Sequence, residues 1–314
     1  MPVDAKPLFR PDALRPHLRE YLLPDHLPLI RETLTRWSGL VTGRAAEKLN
    51  EQELLADFLT DIFGTVLGYS RPVDNPERYT FTRELQVFGK FADAALGVFR
   101  PTGQQYAIAI EGKGPLDPLD RPYAGRKKSA VDQGYGYAIN LPCDWIIVTS
   151  MRQTRLYYKG ADQFTYERFD TAKLATDDSL LKRFLFLLGA ERVTPEVGSN
   201  HLHALLTSSE KVGQELTKEF YFRYAEMRQN AFDHLCRENP QVAKGELLTA
   251  TQKLLDRILF CAFCEDRGLS QLTRYRTRRP PSSSVHATPL LQRLLLCAVL
   301  RLWHPTNWLV HRIN

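Results

Sequence analysis

A hydrophobic pattern with the period of a helix opens the central part of the chain. In residues 50–63 the apolar residues recur every three or four positions, at Leu54, Leu55, Phe58, Leu59, Ile62 and Phe63. This spacing predicts an amphipathic helix. Asn50 followed by Glu53 has the pattern of a capping box at the start of this helix, and Gly68 predicts its end.

Short apolar runs bounded by turn residues follow this helix and predict strands. They cover Tyr79–Val87, Ala92–Phe99, Gln105–Lys113, Asp144–Thr149, Arg155–Tyr158 and Gln163–Phe169. The turn at residues 101–103 joins the second and third strands as a hairpin, and a second helix is predicted from about Tyr123 to Ile139. This order predicts an α/β fold with a mixed sheet flanked by helices.

The pattern changes towards both ends of the chain. Residues 1–45 are predicted to form a helical segment that several prolines interrupt, with its best helix at Leu27–Trp37. Residues 46–171 carry the α/β pattern, and residues 172–269 are predicted to be a helical connector. Its helices are predicted at Ser179–Leu188, Ser199–Cys236 and Glu246–Phe263. Residues 270–314 form an atypical Arg-rich tail.

The distribution of charge along the chain is more informative than the total net charge. The net charge of +6 over 314 residues suggests a nucleic-acid partner. From Gly268 onward, however, there are seven Arg and no Lys, Asp or Glu, and subtracting these seven charges from +6 leaves −1 for the preceding residues. Any phosphate-binding surface on the main part of the chain must therefore be local.

Cysteine usage and hydropathy limit the compartment. The five cysteines follow no regular spacing and their number is odd, which argues against a disulfide framework. The N-terminus lacks the apolar core of a signal peptide. No uncharged apolar stretch reaches the ~20 residues that a membrane helix needs. These features predict a cytoplasmic protein without a membrane partner.

Two carboxylates and a lysine are predicted to meet at the end of the central hairpin. Glu111 and Lys113 are two residues apart on a strand and therefore share a face. Asp93 lies on the neighbouring strand. Carboxylates bind hard cations such as Mg²⁺, which activate water and stabilise phosphate charge. The group suits phosphodiester hydrolysis, although a Glu-x-Lys pair by itself is also typical of a solvated ion pair on a strand edge.

This pattern resembles a known nuclease superfamily. Asp93, Glu111 and Lys113 resemble the D…ExK signature of the PD-(D/E)XK nucleases. Gln133 and Tyr137, one helical turn apart, resemble the Q-x-x-x-Y of that superfamily's exonuclease-like branch. The resemblance implies a restriction-endonuclease-like sheet and assigns all five residues to the catalytic site, with Lys113 orienting the attacking water.

The resemblance also implies a set of metal ligands. Asp93 and Glu111 would bind Mg²⁺ or Mn²⁺, and Gly112 would lend its backbone carbonyl. In restriction enzymes of similar organisation, a Glu at the start of the N-terminal helix can approach the metal, and Glu51 would be that residue. The alternative is a first-turn Glu that interacts favourably with the helix dipole.

A longer stretch, from about Asn50 to Leu269, resembles the N-terminal part of Type IIG-like restriction-modification proteins. In these a PD-(D/E)XK domain is joined by a helical connector to an adenine-specific DNA methyltransferase. Besides the site, the resemblance rests on Phe58–Tyr69 and Leu254–Leu269. We find neither a Gly-rich S-adenosylmethionine loop nor an Asn-Pro-Pro-Tyr-type motif, so we expect no S-adenosylmethionine site and no methyl transfer. We expect a truncated family member.

The tail allows two interpretations. Residues 270–314 are interpreted as translated out of frame, because their composition changes abruptly near Ser270. The alternative is a genuine Arg-rich helix at Pro289–Trp303 that docks on DNA or on a partner.

The predicted function is a metal-dependent endonuclease domain of a restriction-modification system that acts on double-stranded DNA. It would work as a homodimer or with a separate methyltransferase partner. Arg121, Arg126, Lys127 and Lys128 are candidates for phosphate binding, with a solvated helix face as the alternative. Two rival functions also fit the sequence: an inactive truncated remnant that binds DNA or a partner, and a repair-type exonuclease.

Overall fold

The computed structural model of the chain describes residues 5–43, 46, 49–87, 90–195 and 200–266. The contacts between residues divide the chain into two units, the first ending at Val212 and the second beginning at Gly213. The Arg-rich tail at residues 270–314, with the alternative helix at Pro289–Trp303, lies outside the described residues.

Helices and strands follow one another in the order that the sequence pattern predicts. The elements are α1 (Pro11–Glu20), α2 (Leu27–Thr42), α3 (Glu51–Leu59), β1 (Tyr79–Val87), β2 (Lys90–Arg100), β3 (Gly103–Gly112), α4 (Ala130–Asn140), β4 (Trp145–Thr149), β5 (Gln153–Tyr158), β6 (Tyr166–Asp170), α5 (Thr171–Leu174), α6 (Asp178–Leu188), α7 (Ala190–Val193), α8 (His201–Glu238) and α9 (Lys244–Asp266). The predicted α/β class is confirmed.

The strands form one mixed sheet in which neighbours in space are neighbours along the chain, in the order β1 to β6. Every neighbouring pair is antiparallel except β3 and β4, which run parallel. A parallel pair needs a crossover connection, and α4 lies in that connection. The predicted mixed sheet and the hairpin of β2 with β3 are therefore confirmed.

Apolar side chains cover both faces of the sheet. Ile108 and Ile110 of β3 belong to a cluster that also contains residues of α1, α2, α3 and α6. Ala109 between them belongs to a second cluster, together with Val131 and Ala138 of α4. This alternation follows from the two-residue period of a strand. The sheet is thus a middle layer between two helical layers.

Asn50 caps the start of α3 as the sequence predicts, but among the described contacts the reciprocal Glu53 bond of a capping box is not observed. The Asn50 side chain accepts hydrogen bonds from the amides of Gln52, at 2.9 Å, and Glu53, at 3.4 Å. The helix then widens into a π-helical segment, Thr60–Val66, where the sequence pattern predicts regular α-helix. Gly68 follows with φ of +80°, a backbone conformation that favours glycine and ends the helix.

The N-terminal segment packs into the first unit and covers the edge strand of the sheet. Lys6 pairs with Thr165 just before β6. The amide of Phe9 donates a 2.9 Å hydrogen bond to Oε1 of Glu167, a buried β6 residue that also forms an ion pair with Arg183 of α6. Covering an edge in this way removes a template for unwanted strand pairing.

The predicted helix at Tyr123–Ile139 is wrong at its start, because α4 begins only at Ala130. Ala124 and Gly125 adopt φ of +53° and +80°, which a right-handed helix does not allow. Ser129 caps the helix through a reciprocal pair of hydrogen bonds with Asp132. The segment before Ser129 is therefore an irregular loop.

The described part of the second unit is helical, as predicted for this region. It contains the later part of α8 and α9, and the Tyr224 hydroxyl lies 3.3 Å from Oδ1 of Asp256 between them. Ala231 and Leu255 are buried there. Among the described residues, we observe no helix whose length and apolar character would let it cross a membrane.

Candidate active site

The central hairpin brings Asp93 beside Glu111. Ala94 of β2 pairs with Ile110 of β3 in an antiparallel arrangement. Asp93, which precedes Ala94, therefore lies beside Glu111, which follows Ile110. The amide of Gly112 donates a 2.7 Å hydrogen bond to Oδ2 of Asp93. The backbone around Glu111 therefore fixes the Asp93 carboxylate directly.

Lys113 completes a cluster of three charged side chains. Its ammonium forms an ion pair with Oε1 of Glu111 and lies 3.9 Å from Oδ2 of Asp93. Its amide donates to the carbonyl of Thr149 on β4 at 2.8 Å, which fixes the backbone just past the end of β3. The Glu111 side chain is 1% exposed, whereas Lys113 and Asp93 are 16% and 32% exposed. The structure thus brings these three predicted residues together.

Burial and charge change the acidity of this cluster. Burial raises the pKa of Glu111 from its ordinary 4.5 to about 7, against the opposing effect of the Lys113 ammonium. The negative charge of Asp93 adds to the increase. Burial also raises the pKa of Asp93, and Lys113 again opposes it. Near neutral pH, Glu111 is therefore divided between its protonated and ionised forms.

Tyr137 of α4 approaches the same carboxylate, whereas Gln133 does not. The Tyr137 hydroxyl forms a hydrogen bond with the Glu111 side chain. The Gln133 amide instead donates to the carbonyl of Ser129 at 3.2 Å and contacts that of Lys128 at 3.5 Å. Of the Q-x-x-x-Y pair, only Tyr137 reaches the charged cluster, and Gln133 stabilises the start of its own helix.

Helix α4 can approach Glu111 because residue 134 is glycine. A Cβ atom at Gly134 would lie 2.9 Å from Ile146 and 3.1 Å from Val148 on β4. It would also lie 3.8 Å from Cβ of Glu111. A larger residue would push the helix away from the sheet and draw Tyr137 away from Glu111.

Glu51 lies at the edge of the site. Its Oε1 accepts a 2.7 Å hydrogen bond from the amide of Gly114, which ties the first turn of α3 to the end of β3. A Cβ atom at Gly114 would lie 2.9 Å from Cδ of Glu51, and one at Gly112 would lie 2.5 Å from Cδ1 of Leu55. The glycines on both sides of Lys113 therefore allow the close approach of α3, a role that the sequence analysis missed.

A cleft of about 490 Å³ opens above the cluster. Its lining includes Asp93, Gly112 and Lys113, Glu51 at the start of α3, and residues 114–117, 123, 124 and 126 of the loop between β3 and α4. This volume falls within the range of small-ligand sites. The charged cluster is thus accessible from one side.

A divalent cation bound at this cluster would take its ligands from few side chains. Oε1 of Glu111 is buried and, within the described part of the chain, has no hydrogen-bond partner beyond its ion pair with Lys113. Among the described residues no three His, Cys, Asp or Glu side chains form a group that could hold a metal ion. A cation would therefore depend on Asp93, Glu111, the main chain and water, an arrangement that suits Mg²⁺.

Two ion pairs hold the loop between β3 and α4. Buried Asp117 pairs with Arg126 and also accepts a 2.8 Å hydrogen bond from the amide of Leu119. Asp120 binds Arg155 of β5 at 2.5 and 3.1 Å. The Arg155 side chain is 5% exposed, so this second pair anchors the loop to the sheet. The sequence pattern did not predict these two ion pairs, because they join residues nine and 35 positions apart in the chain.

The four candidate phosphate-binding residues all lie on this loop and not on a helix. The alternative of a solvated helix face is therefore wrong. Arg126, Lys127 and Lys128 line a second depression of about 340 Å³, together with Asp132, Gln133, Gly136 and Tyr137. Arg126 lines the first cleft as well. Arg121 is exposed on the same loop.

Comparison with known proteins identified no relative of this chain. No protein-family model, no curated protein and no solved structure matches the chain. The geometry described above is therefore the basis for a functional interpretation.

Proposed function

We propose that this chain is a divalent-metal-dependent DNA endonuclease of the PD-(D/E)XK type. The observation that carries the proposal is the meeting of Asp93, Glu111 and Lys113 at the ends of two adjacent strands, beside an open cleft. Two carboxylates and an ammonium in this arrangement suit hydrolysis of a phosphodiester.

The architecture around the cluster supports the proposal. An antiparallel hairpin carries the three residues, a helix follows, and the next strand is parallel to the second strand of the hairpin. This is the order expected of a restriction-endonuclease-like sheet. Within this interpretation, the helices from residue 172 onward are the connector of a restriction-modification enzyme, and double-stranded DNA is its target.

The chain's own groups have distinct roles. Asp93 and Glu111 would hold Mg²⁺ or Mn²⁺ with the Gly112 carbonyl, because hard cations take oxygen ligands. The bound cation would lower the pKa of a water ligand and stabilise charge on the phosphate. Lys113, beside both carboxylates, would orient the water. Tyr137 would hold the Glu111 carboxylate through its hydrogen bond.

A second candidate function, binding of DNA without cleavage, is favoured by two observations. Lys113 forms an ion pair with Glu111, and within the described residues no group of three ligating side chains is available. Such a cluster would be stable as a structural feature alone. Cleavage assays separate the two candidates.

The test is cleavage of supercoiled plasmid with Mg²⁺, with Mn²⁺ and with EDTA. We expect nicking or linearisation with either metal and none with EDTA. Lys113→Ala and Asp93→Asn should each lower the rate about a hundredfold or more, as removal of one electrostatic catalytic group does. Lys173→Ala, on an exposed lysine of α5, is the matched control and should cleave at the native rate.

Three outcomes would count against the proposal. A folded native protein that cuts no DNA with any divalent metal would favour binding without cleavage. Cleavage that survives both Lys113→Ala and Asp93→Asn would place the activity elsewhere or in a contaminant. Digestion that proceeds only from DNA ends would indicate an exonuclease instead.

A further inference from the structure

Large apolar side chains are exposed around the mouth of the cleft. Leu49, Leu116 and Tyr123 are 52%, 47% and 41% exposed, and all three line the cleft that contains Asp93 and Lys113. Scattered exposed apolar residues are ordinary on a protein surface. Here, however, three of them border one polar cleft, which indicates a ligand with both charged and apolar parts.

Tyr123 has a fixed position on the cleft rim. The Tyr123 carbonyl accepts hydrogen bonds from the amide of Arg126 at 3.2 Å and from its Nε at 3.1 Å. The same guanidinium is paired with buried Asp117. The positive φ angles of Ala124 and Gly125 form the turn between them. The ring is therefore presented by an ordered turn while its surface remains open to solvent.

Cationic side chains lie on both sides of this ring along the chain. Arg121 precedes it, and Lys127 and Lys128 follow it, all three exposed. The neighbouring depression is lined by Arg126, Lys127 and Lys128 against one acidic residue, Asp132. A ligand that follows the loop from the cleft into this depression would meet first an aromatic face and then positive charge.

We propose that Tyr123 stacks on a nucleobase and that the cleft receives an unpaired DNA strand. In a duplex the bases are stacked inside the helix, so a side chain that contacts only the backbone does not reach the face of a base. An unpaired strand offers the face of each base, and an aromatic platform beside a cationic groove is the usual means of binding it. Melted duplex at the cut site and free single strands share this chemistry.

The inference rests on the proposed function in one respect, namely that the ligand is a strand of DNA. It adds that the strand is unpaired at the cleft, so that a double-stranded target is opened locally where it is bound. Lys127 and Lys128 would then bind the phosphates next to the reactive one, and Leu49 and Leu116 would contact the base or sugar.

The test measures binding in EDTA, where cleavage is suppressed. Fluorescence anisotropy compares a labelled single-stranded oligonucleotide with a blunt duplex of the same sequence. We expect tighter binding of the single strand, and Tyr123→Ala should weaken that binding about 5- to 100-fold, the range of one base–aromatic stack. Duplex affinity should change less than about twofold in this variant, since backbone contacts remain.

Two further variants make the result specific. Tyr123→Trp should bind the single strand as tightly as the native chain, and its added indole fluorescence should be quenched by the oligonucleotide, as stacking requires. Tyr221→Ala, on a tyrosine of α8 that is 67% exposed, is the matched control and should leave both affinities unchanged.

The inference and the proposed function fail separately. If Tyr123→Ala lowers both affinities equally, lowers neither, or the native chain prefers the duplex, the stacking role is overturned even if plasmid cleavage succeeds. If single-strand binding depends on Tyr123 but no metal supports cleavage, the stacking role stands and the nuclease does not.

Discussion

The amide of Gly112 donates a 2.7 Å hydrogen bond to Oδ2 of Asp93, from the strand that carries Glu111 and Lys113 on either side of that glycine. The amide that holds the Asp93 carboxylate thus belongs to the residue between Glu111 and Lys113. Because strand backbone is stiff, the spacing of the three charged groups is set before any ligand arrives. This organisation would reduce the reorganisation that the proposed catalysis requires.

The first prediction concerns the pH dependence of stability. The folded state holds the pKa of Glu111 at about 7 against an ordinary 4.5, so stability falls as the pH rises between these values. Glu111→Gln removes this loss. We expect the variant to exceed the native chain by up to about 3 kcal/mol above neutral pH. Urea unfolding at acidic and alkaline pH measures the difference.

Below pH 4.5 both states of Glu111 are protonated, so the advantage of Glu111→Gln should disappear there. Glu20→Gln, on an exposed residue, is the control and should have little effect at either pH. An advantage of equal size at both pH values would contradict the pKa increase as its cause.

The second prediction compares two glycines of α4. A Cβ atom at Gly134 would lie 2.9 Å from Ile146, so Gly134→Ala should destabilise the fold by about 1–3 kcal/mol through overpacking. Apart from its chain neighbours and its own helix backbone, no described heavy atom lies within 4 Å of a Cβ at Gly136, so Gly136→Ala should stabilise the helix by about 0.5–1 kcal/mol. Thermal unfolding of the two variants should move in opposite directions.

Activity provides a second measurement for this pair. Gly134→Ala should also lower plasmid cleavage, because a displaced α4 withdraws Tyr137 from Glu111. Gly136→Ala should retain the native rate. Equal melting temperatures for the two variants would show that α4 does not pack against β4 as described.

The third prediction concerns the buried pair of Glu167 and Arg183. The Glu167 side chain is 3% exposed, and burial raises its pKa while Arg183 opposes the increase. Arg183→Met would leave an uncompensated buried carboxylate and should cost about 3–5 kcal/mol. Arg168→Met, on an exposed β6 arginine, should change stability by less than about 0.5 kcal/mol.

A double variant checks the reason for this loss. Glu167→Gln combined with Arg183→Met removes the buried charge and should recover part of the stability. Chemical denaturation of all four proteins measures the changes. If the double variant is no more stable than Arg183→Met, lost packing and not uncompensated charge explains the effect.

The fourth prediction concerns the loop between β3 and α4. Asp120→Ala removes the ion pair with Arg155, so residues 121–128 should open more often and trypsin should cut after Arg126, Lys127 or Lys128 faster than in the native chain. Limited proteolysis followed by mass spectrometry measures the rate. Asp74→Ala, which removes an exposed pair with Arg71, should leave the loop as resistant as before.

Local period and turn chemistry are sufficient to predict several parts of this protein from its amino-acid sequence. The two-residue period of strands placed Glu111 and Lys113 on one face, and the short turn before Gly103 brought β2 alongside β3 and so Asp93 to Glu111. The apolar period of residues 50–63 and the cap at Asn50 gave the start of α3. Neighbouring residues suffice for each of these inferences.

The packing of distant elements determines which residues complete the site. Glu51 binds the amide of Gly114, 63 residues later in the chain. Asp120, on the loop after β3, binds Arg155 of β5. The structure also shows that Tyr137 reaches Glu111, whereas Gln133 binds the carbonyl of Ser129 instead. Local periodicity cannot predict such contacts, because they depend on how closely helices and loops pack against the sheet, and glycines such as Gly112 and Gly134 set that distance.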